Sequence, residues 1–575
     1  MTSGTVKVSR GLAFGAVLAV AVSAAQAQAE APMPAPAFVA LLGQANARTA
    51  AKDWTGAVPL WERVVAANPV EGRFWNALAT ARYAARDYRG AIPAYQKAVE
   101  IGFGAPENNV YNIACSYALL GDADRALDAL ARALAMGFED LAALRTDADL
   151  ASLRSDPRFA RLVPLPSAAP ATRVDGWRSD LRFLLWQIDR LGADPYRVKR
   201  RAWFEQQFDS LAASAASKTD AQLAFALASV MWALGDGHSG VMRGATAEWA
   251  LSLPLQFTAF DDGVYVTAAD PKYRDLLGAR LLAIGGRPVE TLMAAAAETV
   301  SRDNEGPWVQ LQASSRLRYT GLFAAAGLIA DGAAPTLRVR DLDGRERSAA
   351  IAADMSHPDI WNQKPNPSDW ASLADALPGA APVSWRDTGR NYWFDTLPDR
   401  RTLYFAFNTL RDDQAEPLAA FSARLGKALA DPSVQRLIID LRWNNGGNTQ
   451  LVAPVLGAIL AAERVNRRGR LFVIVGRRTF SAAQNAASLI ERFTNATFVG
   501  EPTGSSPNFV GEERPFVLPY SKLTVNVSRL RWQSSYPQDR RTWIAPLLYV
   551  PPTFADYRAK RDAALDAILA LPLPD

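Results

Sequence analysis

The chain has 575 residues, 21% of them charged, and a formal net charge of +5. That weak balance, with no basic run interleaved with aromatics, excludes a nucleic-acid-binding footprint, and the single cysteine, Cys115, excludes a disulfide framework. Length alone allows about four domains.

The first predicted element is an export signal over 1–27. Lys7 and Arg10 precede an apolar stretch over 11–25 that is short for a membrane span. Ala25-Gln-Ala27 and Ala27-Gln-Ala29 both offer small-residue cleavage sites, and no cysteine follows to take a lipid. Cleavage after Ala27 removes two cations and no acid, so the net charge falls to +3. No later segment is apolar enough to span a bilayer. The expectation is an exported protein, placed by its signal pattern in a bacterial periplasm or secreted.

Residues 36–163 carry an internal repeat. Asp53-Trp-Thr-Gly-Ala-Val-Pro-Leu-Trp61 matches Asp87-Tyr-Arg-Gly-Ala-Ile-Pro-Ala-Tyr95 at a spacing of 34, and Asp122-Ala-Asp-Arg-Ala-Leu-Asp-Ala-Leu130 is a looser third copy. The period and pattern resemble tetratricopeptide repeats, which stack helix pairs into a slab and dock proteins. Pro59 and Pro93 are expected near the start of the second helix of each pair, where a missing N–H costs little.

After a Pro/Ala linker, 174–245 reads as helices, with Trp177, Leu181, Leu184, Leu185, Ile188 and Leu191 at helical spacing. A second helix ends in Gly235-Asp-Gly-His-Ser-Gly240. That motif matches a dinucleotide fingerprint in letters, but a helix precedes it where a strand is required. From 246 to 394 the texture is β-rich. Leu277-Gly-Ala-Arg-Leu-Leu-Ala-Ile-Gly-Gly-Arg-Pro-Val289 resembles the turn-and-strand signature of a PDZ module, followed by a helical insertion over 290–328. Peptide capture by strand addition and a purely structural role both stay open. Residues 395–575 alternate strands (402–407, 436–441, 471–475, 497–499, 523–527) with helices (417–429, 449–462, 481–493), which gives an α/β layered core.

Two turns in that core carry chemistry. Arg436-Leu-Ile-Ile-Asp-Leu-Arg-Trp-Asn-Asn-Gly-Gly-Asn448 ends an apolar run in a double glycine. Arg478-Thr-Phe-Ser-Ala-Ala-Gln-Asn485 follows a second run and puts a serine at a helix start. A glycine turn can aim backbone N–H groups at an oxyanion, and the second turn can present a hydroxyl beside it. Ser481 reads either as a nucleophile or as an N-cap. Together the two turns resemble the S41 serine peptidases, the tail-specific or C-terminal processing family, over about 175–570.

The resemblance implies a ClpP/crotonase-type fold for the core and hydrolysis of peptide bonds through an acyl-enzyme on Ser481, with no cofactor. It implies an oxyanion site from Gly446, Gly447 and the N–H of Ala482. Many members use a lysine within G-x-x-T-x-G-K-G as base. Here Gly500-Glu-Pro-Thr-Gly-Ser-Ser-Pro507 places Ser506 at that position, and the later lysines, Lys522 and Lys560, fall outside the motif. The tricorn-like branch uses a histidine from an Asp-x-His-Ser motif, which points to His238. The other histidine, His357, lies in a loop-like Ser-His-Pro. The same branch uses a serine beside the histidine, which Ser239 matches, and a downstream Glu. Glu512 is the first choice for this acid, with Asp539 and Asp236 as rivals. Asp440 and Arg442 read as structural. No zinc set, H-E-x-x-H or phosphate loop occurs.

The expected architecture is multidomain: an all-α repeat slab, a helical segment, a PDZ-like β-rich region and an α/β peptidase core. The expected function is an exported S41-type serine endopeptidase of Ser–His type, with the repeats docking a protein partner or substrate. The alternative is a non-catalytic S41-like peptide-binding or envelope scaffold protein.

Overall fold

The computed structural model describes residues 33–164, 170–242, 246–330, 334–354 and 369–574; the export segment 1–27 and His357 lie outside them. The chain divides into two compact units, Met1–Phe159 and Ala160–Asp575. Among the described residues no helix is long and apolar enough to cross a membrane.

The first unit consists of helix hairpins. Ala35–Ala50 pairs with Trp54–Ala67, Gly72–Ala84 with Tyr88–Ile101, and Pro106–Leu119 with Ala123–Ala135. The repeated aspartates explain the period. Asp53, Asp87 and Asp122 are N-caps, accepting from the N–H of Gly56 (3.0 Å), Gly90 (2.9 Å) and Arg125 (3.1 Å). Each such cap contributes about 1 kcal/mol. Ala57, Ala79, Ala91, Ala114 and Ala126 are fully buried, so small side chains let the helices approach closely. One expectation is corrected: Pro59 and Pro93 lie inside helices that begin at Trp54 and Tyr88. Each therefore removes an intrahelical hydrogen bond that a first-turn proline would not.

In the second unit, the six predicted apolar positions of the helix Arg173–Leu191 are all buried. A sheet of antiparallel pairs runs Leu255–Phe260, Gly263–Ala269, Arg280–Ile284, Thr336–Arg340, Glu346–Ala350. The insertion between its strands Arg280–Ile284 and Thr336–Arg340 is helical, as Val289–Glu298, Pro307–Arg316 and Thr320–Ala325.

The core sheet has the order Leu548–Tyr549, Thr497–Gly500, Leu471–Val475, Arg436–Asp440, Thr402–Phe407, Tyr392–Thr396. All neighbours are parallel except the last pair. The three central strands are buried throughout, as a sheet covered on both faces requires. Alternate residues serve opposite cores. Phe405, Ile439 and Val473 pack with the helices Leu418–Ala430, Val452–Ala461 and Ala482–Phe493. Tyr404, Ile438 and Phe472 pack with Leu565 and Ile568 of the helix Ala563–Leu569. Asp440 and Arg442 are structural: the Arg442 guanidinium lies 2.9 Å from both Asp440 and Asp562 and ties that helix to the sheet.

A third sheet joins Gly240–Val241, Thr524–Gln533 and Asn508–Val517, all antiparallel. The sequence reading placed only 523–527 here. The strand Asn508–Val517 has an exposed, charged second half, which hides it from an apolar-run search.

Candidate active site

The strands Arg436–Asp440 and Leu471–Val475 are neighbours with Asp440 opposite Ile474, so the turns that follow them leave the same sheet edge. The carboxyl ends of parallel strands are where open α/β sheets place ligands. There Gly446 and Ser481 come together. An added methyl on Gly446 would stand 2.8 Å from Ser481 Cβ and 3.0 Å from the Ala482 nitrogen. Gly446 has φ +120°, and Gly447 (φ +135°) presses so closely on Leu410 that a side chain would meet its carbonyl at 2.1 Å. Only glycine suits both constraints.

Ser481 precedes the helix Ala482–Phe493, but its side chain caps no helix N–H. Its backbone, at φ 56° and ψ −127°, sits in a region rarely used outside glycine, at a cost of about 1–3 kcal/mol. The strain turns the hydroxyl away from the helix and toward His238, whose Nε2 lies 3.0 Å from Ser481 Oγ. The two residues are 243 positions apart in sequence.

His238 is held by its own loop. Asp236 Oδ1 accepts from the N–H of His238 (2.9 Å), the N–H of Ser239 (2.6 Å) and the hydroxyl of Ser528 (2.7 Å). Ser239 Oγ in turn accepts from the Ser528 N–H at 2.9 Å. Ser239 and Asp236 therefore form a buried joint between the histidine loop and the strand Thr524–Gln533, and neither side chain is bonded to the imidazole. The imidazole stacks between Phe480 (centroids 4.7 Å apart) and Phe509 (5.8 Å). Its Nδ1 is buried with no hydrogen-bond partner among the described residues.

The acid candidates have different surroundings. Glu512 has φ 59° and lines the same cleft as His238 and Ser481. The preceding Gly511 lies against the ring, since a methyl there would stand 3.3 Å from His238 Nδ1. Asp539 is engaged elsewhere: its carboxylate accepts from Ser535 Oγ at 2.6 Å and pairs with Arg541 at 2.7 Å. The Arg541 hydrogen bonds hold its carboxyl down at about 2.

The oxyanion candidates also differ. The Gly446 N–H donates to Asn444 Oδ1 at 3.0 Å, while Asn444 Nδ2 holds the Phe407 carbonyl at 2.8 Å. No hydrogen bond of the Gly447 or Ala482 N–H occurs among the described residues. Ser506 donates its N–H to Asp303 at 2.8 Å and its hydroxyl to the Thr542 carbonyl at 3.2 Å.

The sequence reading missed Asn444, Ser528 and Phe509. Asn444 stands beside the double glycine and was legible as a turn-fixing side chain. Nothing local marks the other two. His238, Gly446, Gly447, Ser481, Ala482 and Glu512 open on a cleft of about 1680 Å³ bordered by Val241, Trp308, Arg316, Arg411 and Trp532.

Elsewhere, ligand atoms of Cys115, Asp147 and Asp149 lie within 4.8 Å of one another. Tyr111 donates to Asp147 at 2.7 Å and Tyr83 donates to Asp149. Burial pushes the Cys115 thiol up to about 12, so without a cation beside it the thiol is protonated at neutral pH.

No protein-family model and no curated protein matches the chain. Among solved structures, mature CPAF complexed with lactacystin aligns with a TM-score of 0.50 at 15% identity, over 69% of this chain and 97% of that one. A mutant of CPAF aligns with a TM-score of 0.50 at 15% identity, over 70% of this chain and 99% of that one. At such identity the likeness is one of architecture, and this chain shares the CPAF fold over about two thirds of its length.

Proposed function

We propose that the protein is a serine endopeptidase of S41 type that uses Ser481 and His238 in place of a Ser–Lys pair. The single observation that carries this reading is the 3.0 Å approach of His238 Nε2 to Ser481 Oγ. A serine hydroxyl becomes a nucleophile only beside a base, and Ser506 supplies none.

In the proposed cycle His238 Nε2 takes the hydroxyl proton as Ser481 Oγ attacks a peptide carbonyl. The N–H groups of Gly447 and Ala482 receive the oxyanion, aided by the positive end of the helix Ala482–Phe493. His238 then returns the proton to the leaving amine, which frees the new amino terminus. Water, deprotonated by the same nitrogen, attacks the acyl-Ser481 ester; the acyl C–Oγ bond breaks, His238 returns the proton to Ser481 Oγ, and the carboxylate leaves. This cycle needs the proton of neutral His238 on Nδ1, which calls for an acceptor there. Glu512 fills that role by rotating its side chain toward the ring across Gly511. The helix hairpins of the first unit are assigned as tetratricopeptide repeats that dock a protein partner or substrate, and the protein as exported to the periplasm.

A second reading, a non-catalytic peptide-binding protein of the same fold, is favoured by one observation, the unpartnered Nδ1. Intact mass after exposure to a fluorophosphonate separates the two. One adduct on the wild type, absent from Ser481→Ala and His238→Ala, supports the peptidase. A folded wild type that takes no adduct overturns it.

A further inference from the structure

The stack around His238 does not end at Phe480. Trp308, from the helical insertion between the strands Arg280–Ile284 and Thr336–Arg340, lies flat on the other face of Phe480, with centroids 3.7 Å apart and planes at 3°. Three rings thus stack in succession, Trp308, Phe480 and His238, with the Phe509 centroid 5.8 Å from that of the imidazole. Phe480 is the residue before Ser481, so the column touches both halves of the proposed Ser–His pair.

Trp308 is itself fixed from two directions. Its indole N–H donates to the Ser301 carbonyl at 3.2 Å. The segment before it is tied to the core by Asp303, which accepts from Ser505 Oγ (2.9 Å) and the Ser506 N–H (2.8 Å). Asn304 adds a bond to the Thr542 carbonyl at 2.7 Å. The position where a Ser–Lys enzyme would carry its lysine is here an anchor for the segment that closes the column.

An imidazole with an unbonded Nδ1 has one hydrogen bond, to Ser481, and that bond leaves rotation about the Cβ–Cγ axis to be limited by packing. Stacked aromatic faces limit it, because offset-stacked rings lose contact when either one turns.

We infer that Trp308 is a positioning residue for the His238 base, holding the imidazole at Ser481 through Phe480 from an element outside the catalytic core. The inference rests on the Ser481–His238 reading for its effect on rate, but the geometry can be tested without it.

The chain has two histidines, so ring resonances of His238 are assignable in protein with labelled histidine by loss of a signal in His238→Gln. Trp308→Leu removes the aromatic face and keeps an apolar side chain; Trp308→Phe restores a ring. The expected result is a His238 ring signal shifted by its aromatic neighbours in the wild type, moved and broadened in Trp308→Leu, and returned toward wild type in Trp308→Phe. With a fluorophosphonate, the maximal labelling rate of Ser481 should fall about fivefold in Trp308→Leu, with half-saturation unchanged, and recover in Trp308→Phe. An unmoved His238 signal in folded Trp308→Leu overturns the inference whether or not the wild type is labelled. So does a loss confined to half-saturation, which would make Trp308 a cleft wall only, or a moved signal at an unchanged labelling rate. A wild type that shows the shifted signal but takes no label removes the peptidase reading and keeps the geometric part.

Discussion

Gly446 and Ser481 belong to different turns, yet a methyl on the glycine would overlap the serine at 2.8 Å between the two β-carbons. The contact fixes the Ser481 turn against the double-glycine turn. Gly446→Ala meets that overlap together with a φ of +120°, so it must displace one turn. The expected outcome is a fall in fluorophosphonate labelling of about 100-fold, the scale of losing an oxyanion donor. Stability should fall by about 1–3 kcal/mol. Labelling rate and urea midpoint, measured together, check it.

Glu512 and Asp539 were rivals in the sequence and have different surroundings: Glu512 lines the cleft, and Asp539 pairs with Arg541. Under the proposed cycle Glu512→Gln should lower the labelling rate at least about tenfold, because the Nδ1 proton would lose the charged acceptor that cycle assigns to it. Asp539→Asn should leave that rate within about twofold, being engaged with Arg541 and Ser535. The reverse pattern would return the acid to Asp539.

The Asp236–Ser239–Ser528 joint carries three hydrogen bonds on one carboxylate oxygen. Asp236→Ala leaves two backbone donors and a hydroxyl without an acceptor, an expected loss of about 2–4 kcal/mol. Ser528→Ala removes one partner and should cost about 1 kcal/mol. Both should slow labelling in the same order as they destabilise, since His238 rides on this loop. Chemical denaturation alongside labelling rates checks the ranking.

Asp539 supplies a pH test. Its carboxyl is held at about 2, against 3.8 for the free side chain, chiefly by the Arg541 hydrogen bonds. A depressed carboxyl contributes stability above its unfolded pKa and loses it as pH falls through the folded one. Wild type should therefore exceed Asp539→Asn by about 1 kcal/mol at pH 6, a figure discounted because Arg541 is half exposed. The difference should shrink steadily between about pH 4 and pH 2. Melting temperatures of both proteins across that range decide it; a constant gap contradicts the ion pair.

The sequence by itself determined the local pieces. The 34-residue repeat was legible, although Asp53, Asp87 and Asp122 emerged as its helix caps only in the structure, where each side chain accepts from an N–H three residues on. The buried strands around Ile438 and Val473 were legible as apolar runs, and the turns after them as glycine and serine signals, because strand, turn and helix follow one another without a gap. What joins distant segments was decided only by the tertiary structure. The 243-residue reach from His238 to Ser481 was inferred from a family resemblance; the spacing of the residues carries no trace of it. The engagement of Ser528 with Asp236, the pairing of Asp539 with Arg541 and Ser535 and the arrival of Trp308 on Phe480 had no sequence signal at all. Each depends on sheet register and on how an insertion packs, and these are set by many weak contacts summed over the whole fold. A short motif reports its own turn, and the partner that meets it across the cleft is chosen by the rest of the chain.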